Sequence, residues 1–327
     1  MVGLPGPRVD AAALELVQDL QVGGVILFAR NIEAPEQVWE LTRDLQALAL
    51  KASGRPLLIA VDQEGGRVQR LKTPFALIPP ARDLARRGVL EVEALAKKTA
   101  QELRLVGINV NFAPVLDVAR GPDCPMGDRS YSADPEEVAR MGLAAIRGYL
   151  AGGALPTAKH FPGLGDTVAD SHEVLPLAQS PDPARQVDLL PFRRAVAGGV
   201  PLVMTAHLLA PLWDERPATL SAIALNKWLR QEVGFNGVIV TDDLEMGAIA
   251  GRMTAAQGAR EALAAGADLL LICQDGQAAW AAAQLVAQDG ELSARGLDAA
   301  QRLERLRQAV PPGSRGISEV VGYFRRG

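Results

Sequence analysis

Cysteine and histidine are scarce in this sequence, which has two cysteines and three histidines among 327 residues. Cys124 lies in a loop-like segment and Cys273 in the apolar run "DLLLIC", so their spacing fits neither a disulfide framework nor a metal site. The histidines also lack the tight spacing of metal ligands, which gives metal-dependent hydrolysis little support. Both cysteines are therefore predicted to be free thiols.

Long apolar runs and dense charge of one sign are also missing. No apolar run reaches the roughly 20 residues that span a bilayer, and the first residues lack the basic and apolar regions of a secretory signal. The formal net charge is -4 and no dense Lys/Arg run occurs, so the electrostatic footprint of a nucleic-acid-binding protein is absent. These absences predict a cytoplasmic protein that binds neither nucleic acid nor membrane.

The sequence does contain an alternation of short apolar runs with helical patterns. Seven runs have the length of a strand: "GGVILFA", "PLLIAVD", "GINVNFAPV", "LPTAKHF", "PLVMTAH", "GVIVTD" and "DLLLIC". Runs that are apolar at nearly every residue are typical of strands covered on both faces, as in parallel sheets. The intervening segments indicate helices, for example "PEEVARMGLAAIRGYLAGG", which has Pro135 in its first turn and ends at Gly152 and Gly153.

Polar residues at strand ends distinguish the two folds that this alternation allows, an open doubly wound sheet and a closed (β/α)8 barrel. Five of them lie at or just after an apolar run: Asp62, Asp117, His160, His207 and Asp242. An open sheet gathers its ligands at one switch point, whereas a barrel brings many strand ends to one mouth. We therefore expect an α/β fold of the TIM-like barrel type, in a single domain over residues 1–327. Its eighth strand is expected to be irregular, near "SARGLDAAQRL", or missing.

Three motifs have both a functional and a structural interpretation. "VDQEGGRVQRL" supplies Asp62 and Arg70, which either belong to a capped βα turn or hold a sugar by charge-assisted hydrogen bonds. "CPMGDRSYSADPEE" supplies Arg129, for which a loop ion pair is the alternative. "VIVTDDLEMGAI" ends a strand with Asp242 and Asp243. One of these carboxylates can point into the mouth as a nucleophile or base while the other caps the next helix.

The segment "KHFPGLGDTVADSHEVLP" is the most informative one. Lys159 and His160 end a strand, where they can fix substrate hydroxyls, and the glycines after them predict a mobile loop over residues 163–171. Asp170 and His172 have the spacing that lets both side chains face the same way in an extended or turn segment. A carboxylate beside an imidazole raises the pKa of the imidazole and fixes its tautomer, which produces an acid/base group near neutral pH.

Together, "DQEGGRVQRL", "GDRSY", "KHFPG" with "DSH", and "TDDLEM" resemble the β-N-acetylhexosaminidases of glycoside hydrolase family 3, the single-domain kind used in peptidoglycan recycling. The resemblance covers most of the chain and implies a TIM-like barrel with a retaining glycosidase activity that uses no metal or organic cofactor. It implies that Asp242 attacks the anomeric carbon, that His172 acts as acid and then base, and that Asp170 orients His172. It also implies five sugar contacts: Asp62, Arg70, Arg129, Lys159 and His160.

Two residues depart from the family pattern that this resemblance implies. Leu164 stands where a second histidine is frequent and Glu245 where a serine is common, and both bear on substrate preference. The leading hypothesis is removal of terminal β-linked N-acetylglucosamine (GlcNAc) from GlcNAc-containing muropeptides. Phosphorolysis at the same site stays open, because a histidine acid/base carries no negative charge that repels phosphate. A sugar-binding protein without turnover is the other alternative.

Overall fold

The computed structural model describes residues 1–121, 123–171, 173–178, 182–311 and 316–325. The strands in these ranges are β1 (Val2–Gly3), β2 (Gly24–Leu27), β3 (Leu58–Val61), β4 (Gln63–Gly65), β5 (Val68–Gln69), β6 (Val110–Asn111), β7 (Leu155–Phe161), β8 (Leu202–Thr205), β9 (Val238–Asp243) and β10 (Leu269–Leu271). The α-helices are α1 (Ala11–Leu14), α2 (Pro35–Ser53), α3 (Ala81–Arg86), α4 (Val89–Leu105), α5 (Pro135–Gly152), α6 (Asp182–Ala197), α7 (Gly247–Ala250), α8 (Ala255–Ala265), α9 (Gly276–Gln288), α10 (Ser293–Gln308) and α11 (Ile317–Phe324). Wider π-helical turns occur at Glu15–Asp19 and Ile223–Glu232, and short 3₁₀ turns at Ala29–Asn31, Gly127–Arg129, Ala218–Leu220 and Gly290–Leu292.

Eight strands form one parallel sheet in the order β1-β2-β3-β6-β7-β8-β9-β10. A parallel bridge joins Val2 to Ile272 just after β10, and the N–H of Gly3 donates to the carbonyl oxygen of Ile272 at 3.2 Å. This short contact is the seam between the first and last strands of a nearly closed barrel with helices around it. The predicted TIM-like α/β fold is therefore confirmed. The strands β4 and β5 form a separate antiparallel hairpin.

The position expected for the eighth strand was wrong. The segment "SARGLDAAQRL" lies in α10, and the eighth strand is β1. Because β1 has only two residues, it is too short to show the apolar run that identified the other seven strands. Helix α10 buries Ala299 and Leu306, which are seven residues apart and so lie on one helical face.

Local sequence signals explain why the helices around the barrel begin and end where they do. In α5 the carboxylate of Asp134 caps the helix by accepting the N–H of Glu136 at 3.1 Å, and Pro135 fits the first turn. The helix ends at Gly153, whose φ of 89° is left-handed. No helix within the described ranges is long and apolar enough to cross a lipid bilayer.

Side chains alternate between the two faces of the barrel strands, which explains why the runs are apolar throughout. Val25 and Leu27 of β2 pack outward against the helices, whereas Ile26 between them lies inside the barrel. The barrel interior is filled by apolar side chains: Ile26, Leu58, Ala60, Val110, Phe112, Leu155, Leu202, Met204, Val238, Val240, Leu269 and Leu271. Since this interior is packed, polar groups at the strand ends can gather only at the mouth.

Helices α4 and α5 approach each other closely at a glycine. A Cβ atom added to Gly148 would collide with the carbonyl oxygen of Glu93 and lie 2.8 Å from the Cβ of Ala96. In contrast, a Cβ atom added to Gly296 in α10 would meet nothing within 4 Å. The two helical glycines therefore form a matched pair for testing the packing of the outer layer.

We expect Gly148→Ala to lower the free energy of unfolding by about 1–3 kcal/mol, because the backbone of α4 would have to move. Gly296→Ala should instead raise it by up to about 1 kcal/mol, since alanine is the better helix former. Urea unfolding curves of both variants measure this difference. Equal effects of the two substitutions would contradict the close approach of α4 and α5.

Candidate active site

A cavity of about 240 Å³ opens at the C-terminal ends of the barrel strands. Its apolar lining includes Ile26, Phe112, Met204 and Leu271 from the barrel interior. Its polar lining comprises Asp62, Glu64, Arg70, Arg129, Lys159, His160, Asp242, Asp243 and Gln274. The five predicted sugar contacts and the predicted nucleophile thus line one cavity. A larger cavity has a volume of about 410 Å³ and is lined by residues such as Leu57 and Arg307. Among the described residues, its lining includes neither carboxylates nor histidines.

A network of charges connects the ends of the neighbouring strands β3, β6 and β7 at the mouth of the barrel. The ammonium of Lys159 lies 2.9 Å from Asp62 Oδ1 and 2.6 Å from Glu64 Oε1. The guanidinium of Arg129 binds both oxygens of Glu64 at 2.9 Å, and Arg70 lies 3.6 Å from Asp62 Oδ2. Lys159 is only 2% exposed, so these close counter-charges offset the cost of removing it from water.

The network keeps Glu64 and Lys159 charged at neutral pH. Burial alone would raise the pKa of Glu64, but Lys159 and Arg129 hold it well below its usual range. Burial would likewise lower the pKa of Lys159, but Asp62 and Glu64 raise it above the usual value. The Nε atom of Arg70 is buried and has no hydrogen-bond partner in the part of the chain that the structure describes. That N–H group is therefore an unsatisfied donor at the edge of the cavity that Arg70 lines.

Glu64 belongs to the site, although the predicted site residues did not include it. It lies two residues after Asp62, with β4 around it, and an extended segment places such residues on the same side. That spacing is the signal that could have identified Glu64. Its partner Arg129 is 65 residues away in the sequence, so their ion pair is visible only in the fold.

His160 is held by a buried carboxylate. Its Nδ1 lies 2.7 Å from Asp117 Oδ2, and Asp117 is fully buried. We assign the proton on Nδ1 to this hydrogen bond, which leaves Nε2 for a ligand. Asp117 was predicted to lie at the end of a strand, but its function as the partner of His160 was not predicted.

Asp117 also anchors the loop after β7. Its Oδ1 accepts the N–H of Leu164 at 2.7 Å, while the side chain of Leu164 packs with Cys124, Met126 and Leu208 in an apolar cluster. Leu164, the first departure from the family pattern, therefore packs away from the cavity. A Cβ atom added to Gly165 would collide with the carbonyl oxygen of Val118. The mobility of residues 163–171 stays a prediction. Because this packing holds Leu164 and Gly165 in place, we expect the movement in the residues after Thr167.

Asp170 lies in the exposed part of the same loop, and its carbonyl oxygen accepts the N–H groups of Glu173 and Val174 at 3.1 Å each. His172 lies outside the described residues, so its pairing with Asp170 stays a prediction. The carbonyl oxygen of Ser171 accepts the N–H of Ala248 at 3.2 Å. This hydrogen bond places Ser171 beside α7, which follows β9, the strand of Asp242.

Asp242 is the penultimate residue of β9 and is an ionised carboxylate. Burial would raise its pKa, but His160, His207 and the N–H of Asp243 hold the pKa below its usual value. That N–H donates to Asp242 Oδ1 at 2.9 Å. An ionised carboxylate at the end of a barrel strand is the form that a nucleophile requires.

Asp243 also lines the cavity, which corrects the expectation that only one of the two carboxylates points into the mouth. Its Oδ1 accepts the N–H groups of Glu245 at 3.2 Å and Cys273 at 3.3 Å, so it holds a turn and does not cap α7. Burial, together with the negative charge of Glu245, raises the pKa of Asp243 to about 6. The pKa values of the neighbouring carboxylates Asp242 and Asp243 thus differ because their surroundings differ.

Glu245, the second departure from the family pattern, shapes one wall of the cavity. Its carboxylate accepts the N–H of Gln274 at 2.6 Å and that of Asp275 at 2.9 Å. Together with Asp243, it holds three consecutive N–H groups after β10, including that of the cavity residue Gln274. Within the described ranges, no group of three or more His, Cys, Asp and Glu side chains could hold a metal ion.

Known proteins are similar to this chain over most of its length. The profile of the glycosyl hydrolase family 3 N terminal domain matches residues 2–306. A beta-hexosaminidase of Pseudomonas aeruginosa is 42% identical over 279 residues, which cover 84% of this chain and 82% of that protein. A beta-hexosaminidase of Thiobacillus denitrificans is 41% identical over 285 residues, covering 82% and 78% of the two chains.

Solved structures share the fold. A glycoside hydrolase family 3 beta-N-acetylglucosaminidase from Paenibacillus sp. str. FPU-7 has a TM-score of 0.92 at 38% identity, over 99% of this chain and 66% of that one. NagZ from Neisseria gonorrhoeae, in complex with N-trifluoroacetyl-D-glucosamine, has a TM-score of 0.80 at 31% identity, over 99% and 96% of the two chains. This chain therefore spans about two thirds of the Paenibacillus chain and nearly all of the Neisseria chain.

The raised pKa of Asp243 predicts a pH-dependent stability. Because this pKa is about 6 in the folded protein, its contribution to stability is present below about pH 4 and is lost as the pH rises through about 6. Asp243→Asn keeps an acceptor for the Glu245 and Cys273 N–H groups and cannot ionise. We expect it to be more stable than the parent by up to about 3 kcal/mol above pH 7 and by little near pH 4.

Thermal unfolding of the parent and Asp243→Asn from pH 4 to pH 8 measures this difference. Other ionisable groups are common to both proteins and largely cancel in the comparison. A stability difference that does not change across this pH range would contradict the raised pKa.

Proposed function

We propose that this chain, a glycosidase that belongs to glycosyl hydrolase family 3, removes terminal β-linked GlcNAc from glycosides with retention of configuration. The observation that carries the proposal is the single cavity in which an ionised Asp242 lies with the Lys159–Glu64–Arg129 network and His160. The relatives named beta-hexosaminidase, and the Neisseria protein bound to N-trifluoroacetyl-D-glucosamine, support the choice of sugar.

The reaction proceeds by two displacements at the anomeric carbon. In the first, a carboxylate oxygen of Asp242 forms a bond to this carbon while the bond to the leaving oxygen breaks, and His172 gives that oxygen a proton. In the second, a water oxygen attacks the same carbon, His172 takes the proton of the water, and the carboxylate of Asp242 departs. Asp170 orients His172 in both steps. The assignment of His172 and Asp170 rests on the resemblance of "DSH" to the family motif.

The buried charges bind the sugar hydroxyls. Lys159, Arg129 and Arg70 supply N–H donors, and Asp62 and Glu64 supply acceptors, all fixed before a ligand arrives. Hydroxyl groups both donate and accept, so such a lining can hydrogen-bond a sugar around its ring. The packed barrel interior closes the cavity below, and a cavity closed on that side admits the end of a glycan. This supports exo-cleavage.

The proposal extends to a more specific substrate and setting. We propose that the leaving group is part of a GlcNAc-containing muropeptide and that residues 1–327 act in the cytoplasm as one domain. Neither nucleic acid nor membrane is a partner in this proposal, and the reaction uses no metal or organic cofactor. This part is supported by the family resemblance of the motifs.

Asp242→Ala should lose nearly all activity, even on an aryl β-GlcNAc glycoside with a good leaving group. The nucleophile is needed whatever the leaving group, so we expect kcat to fall by about four orders of magnitude or more. Asp44→Ala, which removes an exposed carboxylate in α2, is the control and should keep the parent rate. Near-normal turnover by Asp242→Ala would refute the assignment of the nucleophile.

His172→Ala should respond to both the leaving group and an added nucleophile. An activated phenol departs with little protonation, so the glycosyl-enzyme should still form, whereas its hydrolysis should slow by about 10²–10⁴-fold without the base. Azide needs no base and should raise the turnover and yield a β-glycosyl azide.

Assays with nitrophenyl and alkyl β-GlcNAc glycosides, with and without azide, measure these effects. The same assays on the parent with phosphate test phosphorolysis through the formation of GlcNAc 1-phosphate. If neither azide nor the leaving group changes the rate of His172→Ala, His172 does not have the proposed function.

A further inference from the structure

The third histidine, His207, has no function in the proposed reaction although it is buried next to the nucleophile. It follows β8, which pairs with β9, the strand that bears Asp242. It is fully buried, and it is not one of the residues that line the cavity. His207 therefore does not touch a bound sugar, and it can affect catalysis only by acting on Asp242 and its neighbours.

Both ring nitrogens of His207 are held by hydrogen bonds. Its Nε2 lies 2.8 Å from the carbonyl oxygen of Asp243, and because this oxygen can only accept, Nε2 carries a proton. Its Nδ1 lies 2.9 Å from the hydroxyl oxygen of Thr219. That hydroxyl is 2.9 Å from the carbonyl oxygen of Ala206 and 2.8 Å from the hydroxyl of Thr205. Thr219 therefore holds the imidazole at Nδ1, and Thr205 in turn holds the hydroxyl of Thr219.

The backbone of Asp243 links His207 to the nucleophile. Its carbonyl oxygen accepts the proton of His207 Nε2, and its N–H donates to Asp242 Oδ1 at 2.9 Å. The two groups lie in consecutive peptide planes that meet at the Cα atom of Asp243. Because Asp243 belongs to β9, its backbone dihedrals are confined to the strand conformation, so fixing the carbonyl restricts the direction of the N–H. The hydrogen bond from that N–H in turn fixes one oxygen of the Asp242 carboxylate.

We infer that His207 is a positioning residue that holds the Asp242 carboxylate, through the backbone of Asp243, in the orientation for attack on the anomeric carbon. The inference rests on the proposed function. A misplacement of about 1 Å can cost about 100-fold in rate, whereas the sugar contacts of Lys159 and Arg129 do not depend on this chain of hydrogen bonds. Loss of His207 should therefore slow formation of the glycosyl-enzyme and leave sugar affinity unchanged.

The test uses 5-fluoro-GlcNAc fluoride, which converts a retaining enzyme into a slowly hydrolysed glycosyl-enzyme. Mass spectrometry of the intact protein against time yields the labelling rate constant and the affinity for the reagent, and peptide mapping locates the label. Three variants are compared with the parent. His207→Phe removes both hydrogen bonds, and His207→Gln keeps a donor near Nε2. Thr219→Val removes the support of Nδ1, together with the contacts of the Thr219 hydroxyl to Ala206 and Thr205, and leaves the Nε2 hydrogen bond in place.

We expect labelling at saturation to slow by about 100-fold in His207→Phe and by about 10-fold in Thr219→Val, with unchanged affinity for the reagent. His207→Gln should recover most of the parent rate. If His207→Phe does not fold, Thr219→Val and His207→Gln decide the outcome.

A parent that carries no label on Asp242 would overturn the proposed function itself. A labelled parent whose folded variants label at the parent rate would overturn the inference alone. A loss of affinity in place of rate, or a His207→Gln variant as slow as Thr219→Val or slower, would likewise overturn it, because each indicates a general structural effect.

Discussion

The ion pairs of Lys159 with Asp62 and Glu64 are the interaction on which the site depends. Lys159 comes from β7 and the carboxylates from the segment after β3, so the pairs connect strand ends that are far apart in the sequence but separated by only β6 in the barrel. A buried ammonium requires close counter-charges, and Glu64 extends the requirement to Arg129. The groups that bind polar ligands are therefore in place before the ligand arrives, which lowers the cost of binding.

At the mouth of the barrel, the surroundings shift the pKa values of two adjacent carboxylates, Asp242 and Asp243, in opposite directions. His160 and His207 counteract burial at Asp242 and lower its pKa, whereas Glu245 adds to burial at Asp243 and raises its pKa to about 6. Environment therefore distinguishes an ionised carboxylate suited to nucleophilic attack from one that holds the cavity wall. Glu245 also holds the cavity wall, because its carboxylate accepts the backbone N–H of Gln274.

The sequence predicted the barrel because seven of its strands are covered on both faces and are therefore apolar throughout. The sequence could not locate β1, because a strand of two residues is too short to form an apolar run. Asp62, Lys159, His160 and Asp242 were predicted because they end apolar runs, and these strand ends meet in any barrel.

Other features of the site depend on which side chains meet between neighbouring strand ends, and sequence spacing does not contain that information. The ion pair between Glu64 and Arg129 is one example, and the hydrogen bond between Asp117 and His160 is another. The contact of His207 with Asp243 passes through a backbone carbonyl, which leaves no signature in residue types. The departures from the family pattern at Leu164 and Glu245 were visible in the sequence. The sequence did not show that Leu164 packs in an apolar cluster away from the cavity, or that Glu245 holds the cavity wall at Gln274.

We propose that Asp242 attacks a terminal β-GlcNAc and that the glycoside is cleaved with retention of configuration. Proton NMR during hydrolysis of an aryl β-GlcNAc glycoside measures the configuration of the first product before the anomers equilibrate. We expect the β-anomer of GlcNAc to appear first and the α-anomer only later, by mutarotation. Initial release of the α-anomer, or release of no GlcNAc at all, would contradict it.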